Sequence, residues 1–528
     1  MFEKLCSNRL YIVLGPLALT APLTSFLRFY DISFLSSEAF YSFTVLILIG
    51  LVAGLIMALG GNLAQALISS VIIVLFIFSE ANRALLYPEG IRFRYVLLLS
   101  IFLVGTVLYF LRENRIRFLL IVFSVMWLMG SVSPSSGKIQ VLETVPQELG
   151  KTPQPDTSLP PYVHIVVDEH IGIEGIPSSY DENNKFSLEL KNKYIDQGFF
   201  VFGRAYSRFR STVRSFSNFL NFQSQVDSRA NVIEGEKGVS FKPNALFETL
   251  TKRGYIINTY TTEDFFLCEN GKTYRMGKCV AVLGGGLKHH HGGSIILHNF
   301  VKKLRLFPLY AAVAPKLGIP EINAIAYPGT PKAVDSANKF IDFLSEGKRG
   351  NAYFIHLRLP HSPYLFDENC LYNFDGNFFK KEGMTEIYAR YIKQIQCTHL
   401  IVDKIINKLD SKQESKDSTI VIHADHGSRI YEKPDETALF TSEEYIQGFS
   451  AFFVIRSPAL TPGYDRRPFA LDELLKVSAL SKPDFMALDN KKEKFVYTIP
   501  HGTASNRFDT FEKFTLPPFA NGSRVQKW

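Results

Sequence analysis

Apolar positions are distributed along this 528-residue chain in two different patterns. From Leu10 to Val132 long apolar runs follow one another, interrupted by seven arginines, no lysine and few acids. Five runs, Leu10–Leu27, Tyr41–Gly60, Asn62–Ser79, Tyr95–Leu111 and Ile116–Val132, each approach the ~20 helical residues that cross a ~30 Å hydrocarbon layer. Such a succession predicts five membrane-spanning helices rather than a buried helical core. The first run is too long, and too weakly processed at its end, for a cleaved signal peptide. With the N-terminus inside, Lys4, Arg9, Arg112, Arg115 and Arg117 face the cytoplasm, against Arg28, Arg83, Arg92 and Arg94 on the other side. This small positive-inside bias and an odd number of spans place the rest of the chain outside the cytoplasm.

After Tyr162 the pattern changes to short apolar runs alternating with helical periodicity. Tyr162–Val167, Tyr255–Thr261, Ala352–Leu357, Thr419–Ile422 and Ala451–Ile455 read as buried strands, and Ser336–Leu344 and Thr385–Leu409 as helices. The alternation predicts an α/β domain with a mainly parallel sheet flanked by helices, whose ligands sit at the carboxyl ends of the strands. Residues 133–161, rich in Pro, Ser and Thr, read as a linker with room for a short amphipathic piece, which gives a 1–132, 133–161, 162–528 organisation.

Composition narrows the function classes. With 13% aromatic and only 20% charged residues the chain is not disordered. A net charge of +8 suits anionic substrates or lipid headgroups and is too small, at this length, to argue for nucleic acid. Beyond Cys6 stand Cys268, Cys279, Cys370 and Cys397, whose spacing permits two local bridges, Cys268–Cys279 and Cys370–Cys397, among three pairings. The absence of any CxxC leaves an oxidising compartment as the better reading.

Four segments carry candidate chemistry. The first predicted strand runs into Asp168, Glu169 and His170, and acids at a strand end supply hard oxygen ligands. A late strand delivers Asp425 and His426 side by side before Gly427, half of a Zn²⁺ or Mn²⁺ site or else a polar turn with a capping Asp. In Ala352–Tyr364, His356 reads as a core residue, whereas His361, bracketed by Pro360 and Pro363, suits phosphate binding or protonation of a leaving group. Finally Arg204, Arg208, Arg210 and Arg214 are interleaved with Ser207, Ser211 and Thr212 and followed by Ser215. Ser211 or Thr212 is placed to cap a helix running to about Asn221, with a hydroxyl at its positive end; a basic surface helix with an ordinary cap is the plainer alternative.

Together these segments resemble the alkaline phosphatase/sulfatase superfamily, and within it the membrane-anchored phosphoethanolamine and phosphoglycerol transferases. The similarity covers the whole organisation: five spans, a linker and a catalytic domain. It implies Glu169, favoured over Asp168, as the acid ligand after IVVDEH, and Thr212 of the Thr-x-x-Ser pair Thr212/Ser215 as nucleophile and metal ligand. It also implies His361 of His356-LRLP-His361-SPY as a substrate residue, and Asp425 and His426 of the DHG turn as further ligands. By the same resemblance one or two divalent ions, Zn²⁺ or Mn²⁺, activate Thr212. Thr212 then takes a headgroup phosphate from a phospholipid donor and passes it to a glycan or lipopolysaccharide, with Arg208 and Arg210 beside the anion. Catalysis is expected on the periplasmic or extracellular side of the inner or plasma membrane.

The sequence departs from that family in three ways. Ser428 stands where many relatives have an acid, no His occurs between His426 and His501, and no C/S-x-P-x-R motif is present. The first two favour a single metal; the third argues against sulfate-ester hydrolysis. A phosphodiesterase or phosphatase using water as acceptor, and an inactive membrane-anchored binding protein with the same fold, are the alternatives. The His289–His291 run reads as a glycine-flanked loop.

Overall fold

The computed structural model describes residues 8–29, 33–80, 93–111, 113–132, 140–144, 155–223, 232–235, 238–241, 243–262, 265–267, 274–283, 329–344, 347–371, 383–430, 441–498 and 511–519. They fall into an N-terminal helical unit and a larger unit built from Gln140–Leu283, Gly329–Asn373 and Glu382–Trp528.

Helices occupy all five apolar runs of the first unit: Leu10–Phe29, Ser37–Leu59, Asn62–Glu80, Phe93–Leu111 and Glu113–Val132. The described stretches Leu10–Arg28, Ala39–Leu59 and Asn114–Val132 are long and apolar enough to cross a membrane, while Asn62–Val74 and Leu98–Leu111 are shorter. Small residues let the first two helices touch: a β-carbon on Gly15 would lie 2.0 Å from the Gly50 carbonyl oxygen, so only Gly fits there. Large apolar side chains such as Phe110, Ile121 and Leu128 face outward, the reverse of a water-soluble bundle. Inside, Arg115 is 1% exposed and donates to Tyr11 Oη (3.0 Å), Asn62 Oδ1 (2.7 Å), the Leu108 carbonyl (3.2 Å) and Gln65 Oε1. One guanidinium thus ties four helices together through neutral acceptors, which is how a buried cation is tolerated in apolar surroundings.

The second unit is organised by a nine-stranded sheet. Its strands, in spatial order, are Gln140–Thr144, Met276–Leu283, Ile256–Thr262, Asn351–Leu357, Tyr162–Val167, Thr419–Ala424, Phe453–Arg456, Phe200–Phe202 and Gly463–Asp465. Four consecutive pairings in the middle are parallel, from Met276–Leu283 across to Thr419–Ala424. Both faces of these strands are covered, which is why YVHIVV and TIVIHA read as continuous apolar runs rather than alternating ones. Part of the expected linker departs from that reading. Gln140–Thr144 pairs antiparallel with Met276–Leu283 and forms an edge of the sheet, where the neighbour's unpaired backbone groups accept it.

Register fixes the geometry of the site. Val167 lies opposite both Leu357 and Ala424, so the segments after these three strands emerge side by side. The 27-residue helix Met384–Asp410 backs this end of the sheet. Its His399 shares a hydrogen bond with His170 (2.8 Å) and another with the Tyr194 hydroxyl (2.8 Å). A second histidine pair, His164 and His423, meets Nε2 to Nε2 at 2.7 Å between neighbouring central strands.

The Cys370–Cys397 bridge is formed and pins the loop after His361 to that long helix. Cys279 is also disulfide-bonded, and Cys268 of the other expected bridge lies outside the described residues, as do His289–His291 and His501. Closing a loop between cysteines 27 positions apart stabilises by about 3.5 kcal/mol in the chain-entropy account. Cys370→Ala is therefore expected to lower the urea midpoint of the full-length protein and, by opening the loop in the unfolded chain, to steepen the denaturant slope; an unshifted midpoint contradicts this.

Candidate active site

The acids and histidines of the site are delivered by short segments after buried strands. Asp168 and Glu169 follow the Tyr162 strand directly. The Asp168 amide donates to the carbonyls of Leu357 (3.1 Å) and Leu359 (2.9 Å), tying it to the neighbouring strand end. Glu169 adopts φ 63°, in the left-handed region that non-glycine residues enter at a cost. That conformation is held from both sides: its N–H donates to Asp425 Oδ1 (3.0 Å) and its carbonyl accepts from the Tyr391 hydroxyl (2.6 Å).

After the Thr419 strand come Asp425 and His426, both fully buried. Gly427 is required sterically, since a β-carbon there would stand 2.0 Å from the Gln447 carbonyl oxygen. The His426 Nδ1 donates to the Gly427 carbonyl (2.8 Å), so in the neutral ring Nε2 carries the lone pair and faces the site. Thr212 begins the nine-residue helix Thr212–Leu220. Its hydroxyl lies 3.3 Å from His426 Nε2 and 3.5 Å from Asp168 Oδ1. Ser211 is the N-cap residue, but its side chain makes no capping hydrogen bond; Thr212 carries the hydroxyl at this positive helix end.

Ligating atoms of Asp168, Glu169 and His426 lie within 4.8 Å of one another. Asp425 Oδ1 accepts from the amides of Glu169 and His426, whereas Oδ2 has no hydrogen-bond partner among the described residues and lies 3.4 Å from His426 Nε2. Buried carboxylates with an unsatisfied oxygen, converging on an imidazole lone pair and a hydroxyl, form a donor set that fits a hard or borderline divalent cation. Asp168, passed over for Glu169 at the sequence level, belongs to this group. The adjacent acids DE gave that signal, but only the fold shows both side chains turned to the same place.

Charge follows from the crowding. Burial, and then the neighbouring charge of Asp425, raise the Asp168 pKa, and burial raises Asp425 to about 6. Burial also opposes ionisation of Glu169, but attraction to the facing His361 and Arg429 outweighs it and holds that carboxyl low. His426 is pushed down to about 4 by burial and then by Arg429, so it stays neutral and ligand-ready. His356 is pushed to about 3, mainly by burial, with Nε2 3.7 Å from Asp168 Oδ2.

The remaining expected residues divide. His361 reaches the site, with Nε2 3.4 Å from Glu169 Oε1. Its loop is carried by Gln394 of the long helix, which donates to the Pro360 and His361 carbonyls (3.0 and 2.8 Å) and accepts from the Leu365 amide (2.7 Å). No local pattern marks Gln394 in the sequence. Arg208, expected beside the anionic substrate, is directed elsewhere. Tyr206 bridges to Ser450 and Ala470, which turns Arg208 toward the start of the Leu471–Ser478 helix. There it is 3% exposed, pairs with Asp472 (2.8 Å) and stacks on Phe495 (4.2 Å). Arg210 lies along Gly448, where a β-carbon would stand 2.5 Å from its Nε. Arg429 was missed: it pairs with Glu169 and donates to His361 Nε2 at 2.9 Å. Its place two residues after the DHG turn was the available signal.

A hydroxyl-bearing helix end facing acids and a histidine at the carboxyl edge of a mainly parallel sheet defines a metal-fitting active site of an α/β enzyme. The Sulfatase family profile matches residues 175–476, more than half of the chain, and the protein belongs to that family, within the alkaline phosphatase superfamily. A search of curated proteins finds no significant sequence relative. Among solved structures, the chain is similar to a protein of a glycosaminoglycan-metabolism locus of Bacteroides thetaiotaomicron (12% identity, TM-score 0.41, covering 68% of this chain and 85% of that one). It is similar also to the C-terminal periplasmic domain of EcEptC from Escherichia coli in complex with Zn (12%, 0.41, 73% and 98%). A third is the phosphonate monoester hydrolase of Agrobacterium radiobacter (13%, 0.37, 60% and 72%).

Proposed function

We propose that this protein is an integral-membrane phosphotransferase that moves a phospholipid headgroup phosphate, phosphoethanolamine or phosphoglycerol, to a glycan or lipopolysaccharide outside the cytoplasm. The observation that carries this reading is the Thr212 hydroxyl, set at a helix N-terminus between His426 Nε2 and Asp168. Glu169, Asp425 and His426, with Asp168 beside them, would hold a divalent ion, which when bound supplies Lewis-acid activation of the hydroxyl and neutralises charge. Thr212 loses its proton toward Asp168 and its Oγ1 attacks the phosphodiester phosphorus. The bond from phosphorus to the diacylglycerol oxygen breaks, that oxygen leaves with a proton, and the headgroup phosphate remains on Thr212. An acceptor hydroxyl then attacks the same phosphorus and restores the threonine. His361, steadied by Gln394, is placed beside the phosphoryl group.

The outward apolar faces of the N-terminal helices support membrane embedding, and hence a lipid donor within reach. The Cys370–Cys397 bridge supports a catalytic unit on the oxidising side. The test is incubation of the full-length protein in vesicles with phosphatidylethanolamine or phosphatidylglycerol and Mn²⁺ or Zn²⁺. Diacylglycerol release with a headgroup-phosphate mass on the Thr212 peptide is expected. Release of free headgroup phosphate without acceptor would make the enzyme a phosphodiesterase, and metal-loaded protein that releases nothing from either lipid contradicts the reading.

A further inference from the structure

We propose that Tyr391, on the long helix Met384–Asp410, is a positioning residue that sets the divalent-metal affinity of this site through the backbone of Glu169; the inference rests on the metal-binding part of the reading above and deepens it. The case begins with a strained turn. Glu169 is held at φ 63°, a conformation that a residue with a side chain keeps only where its backbone is restrained. Relaxation to negative φ would swing its carboxylate away from Asp168 and His426, whose ligating atoms lie within 4.8 Å of its own. One restraint is the bond from the Glu169 amide to Asp425 Oδ1 (3.0 Å), but Asp425 is itself an acid of the site. The other restraint comes from outside the acids. The Tyr391 hydroxyl donates to the Glu169 carbonyl (2.6 Å) and accepts from the Ile171 amide (2.9 Å), so one oxygen closes the turn across residues 169–171.

The packing around Tyr391 holds that oxygen in place. Its side chain is fully buried, and its ring lies against Tyr364 (centroids 5.0 Å apart), edge-on to Tyr388 (6.1 Å) and within the apolar cluster that contains Ile171. Removing the hydroxyl leaves a buried carbonyl and a buried amide without their partner, both in the turn that aims the acid. One helical turn further on, Gln394 holds the neighbouring loop, accepting from the Leu365 and Phe366 amides (2.7 and 3.1 Å) and donating to the Pro360 and His361 carbonyls. From that loop the Ser362 amide donates to Glu169 Oε2 (3.2 Å). One helix therefore fixes Glu169 twice: its backbone through Tyr391, and its carboxylate through the loop that Gln394 carries. Groups that orient a metal ligand without touching the ion change affinity by roughly 10- to 100-fold when they are lost.

The experiment titrates Mn²⁺ alone into full-length protein in detergent, with the free ion read by electron paramagnetic resonance and stability read as the melting temperature in chelator. Tyr391→Phe, which deletes one oxygen and keeps the ring, is expected to weaken Mn²⁺ binding by roughly tenfold or more. Tyr274→Phe is the matched control. That buried hydroxyl also bridges an amide and a carbonyl, both of Asn244, so its loss should lower the melting temperature to a similar degree with Mn²⁺ affinity unchanged. A double-mutant cycle supplies the readout that a merely structural role would not move. In a Glu169→Gln background, where the ligand acid is already lost, Tyr391→Phe should weaken Mn²⁺ by less than about threefold. Affinity within about threefold of wild type in Tyr391→Phe overturns the proposal, as does an equal loss in Tyr274→Phe or an undiminished loss in the Glu169→Gln background. Wild-type protein that binds no Mn²⁺ defeats the metal reading and the inference with it, whereas wild-type binding that Tyr391→Phe leaves intact defeats the inference alone.

Discussion

Thr212→Ala is expected to lower headgroup transfer by on the order of 10⁴-fold while leaving metal binding and folding intact. The size follows from what the side chain does: its hydroxyl stands at the helix start, 3.3 Å from His426 Nε2. The substitution is structurally mild, because the Thr212 hydroxyl is not the cap of its helix and alanine is a good helix former. Thr212→Ser keeps the oxygen and loses a methyl group, so it should retain activity within about tenfold of wild type. Ser215 cannot take over: it is fully buried, donates to the Phe209 carbonyl (3.1 Å) and faces Ser207 (3.0 Å). Ser211 is the neighbour that could, and a phosphate mass on its peptide in wild-type protein would move the nucleophile by one residue. Transfer by the alanine variant above about one part in a hundred of wild type, with no such mass, would sink the covalent mechanism.

What the sequence disclosed of this site, and what it withheld, divides along physical lines. The apolar helices and the central strands were legible because each is specified locally, by a continuous run whose length and flanking polarity suit one element. The DHG turn and the acids after YVHIVV were legible for the same reason: each follows a strand directly, and parallel register brings strand ends together. Interactions between distant segments were not legible. Arg208 is neutralised by Asp472, 264 residues away, and nothing in GRAYSRFR announces that partner. The edge strand Gln140–Thr144 looked like linker because its stability comes from pairing with Met276–Leu283. The His164–His423 pair sits inside two strands that otherwise read as wholly apolar, and only register makes the rings meet. Arg429 belongs to the same class, since its meaning depends on Glu169 and His361, each brought by a different strand end.

Divalent-metal affinity should weaken as pH falls from about 7 to 5. Burial raises the folded pKa of Asp425 to about 6, and burial with the Asp425 charge raises that of Asp168, above the ordinary carboxylate value of the unfolded chain. Between about pH 4 and those raised values these two carboxyls bind more protons in the folded than in the unfolded state, while the buried His164, His170, His356, His399, His423 and His426, all lowered by burial, bind fewer, so the metal-free stability curve is a balance of opposed slopes and does not by itself report the site. A bound ion requires ionised carboxylates and displaces those protons. Its apparent affinity thus gains roughly tenfold per pH unit for each proton displaced, until the carboxylates are ionised without help. His426, held near 4, is already neutral in the fold above pH 5 and adds no slope to the metal affinity there. Asp472, raised to about 6 by burial against the pull of Arg208, tilts the metal-free curve too, but it is paired outside the site and does not respond to metal. The informative quantity is consequently the difference between melting temperatures with Mn²⁺ and with chelator, measured at pH 5, 6, 7 and 8. That gap should widen with pH, and Asp425→Asn, which removes both a titrating proton and a ligand oxygen, should shrink it at every pH and flatten its slope. A gap that is constant or narrows toward pH 8 in the wild type would mean that the ion is held elsewhere than between these buried acids.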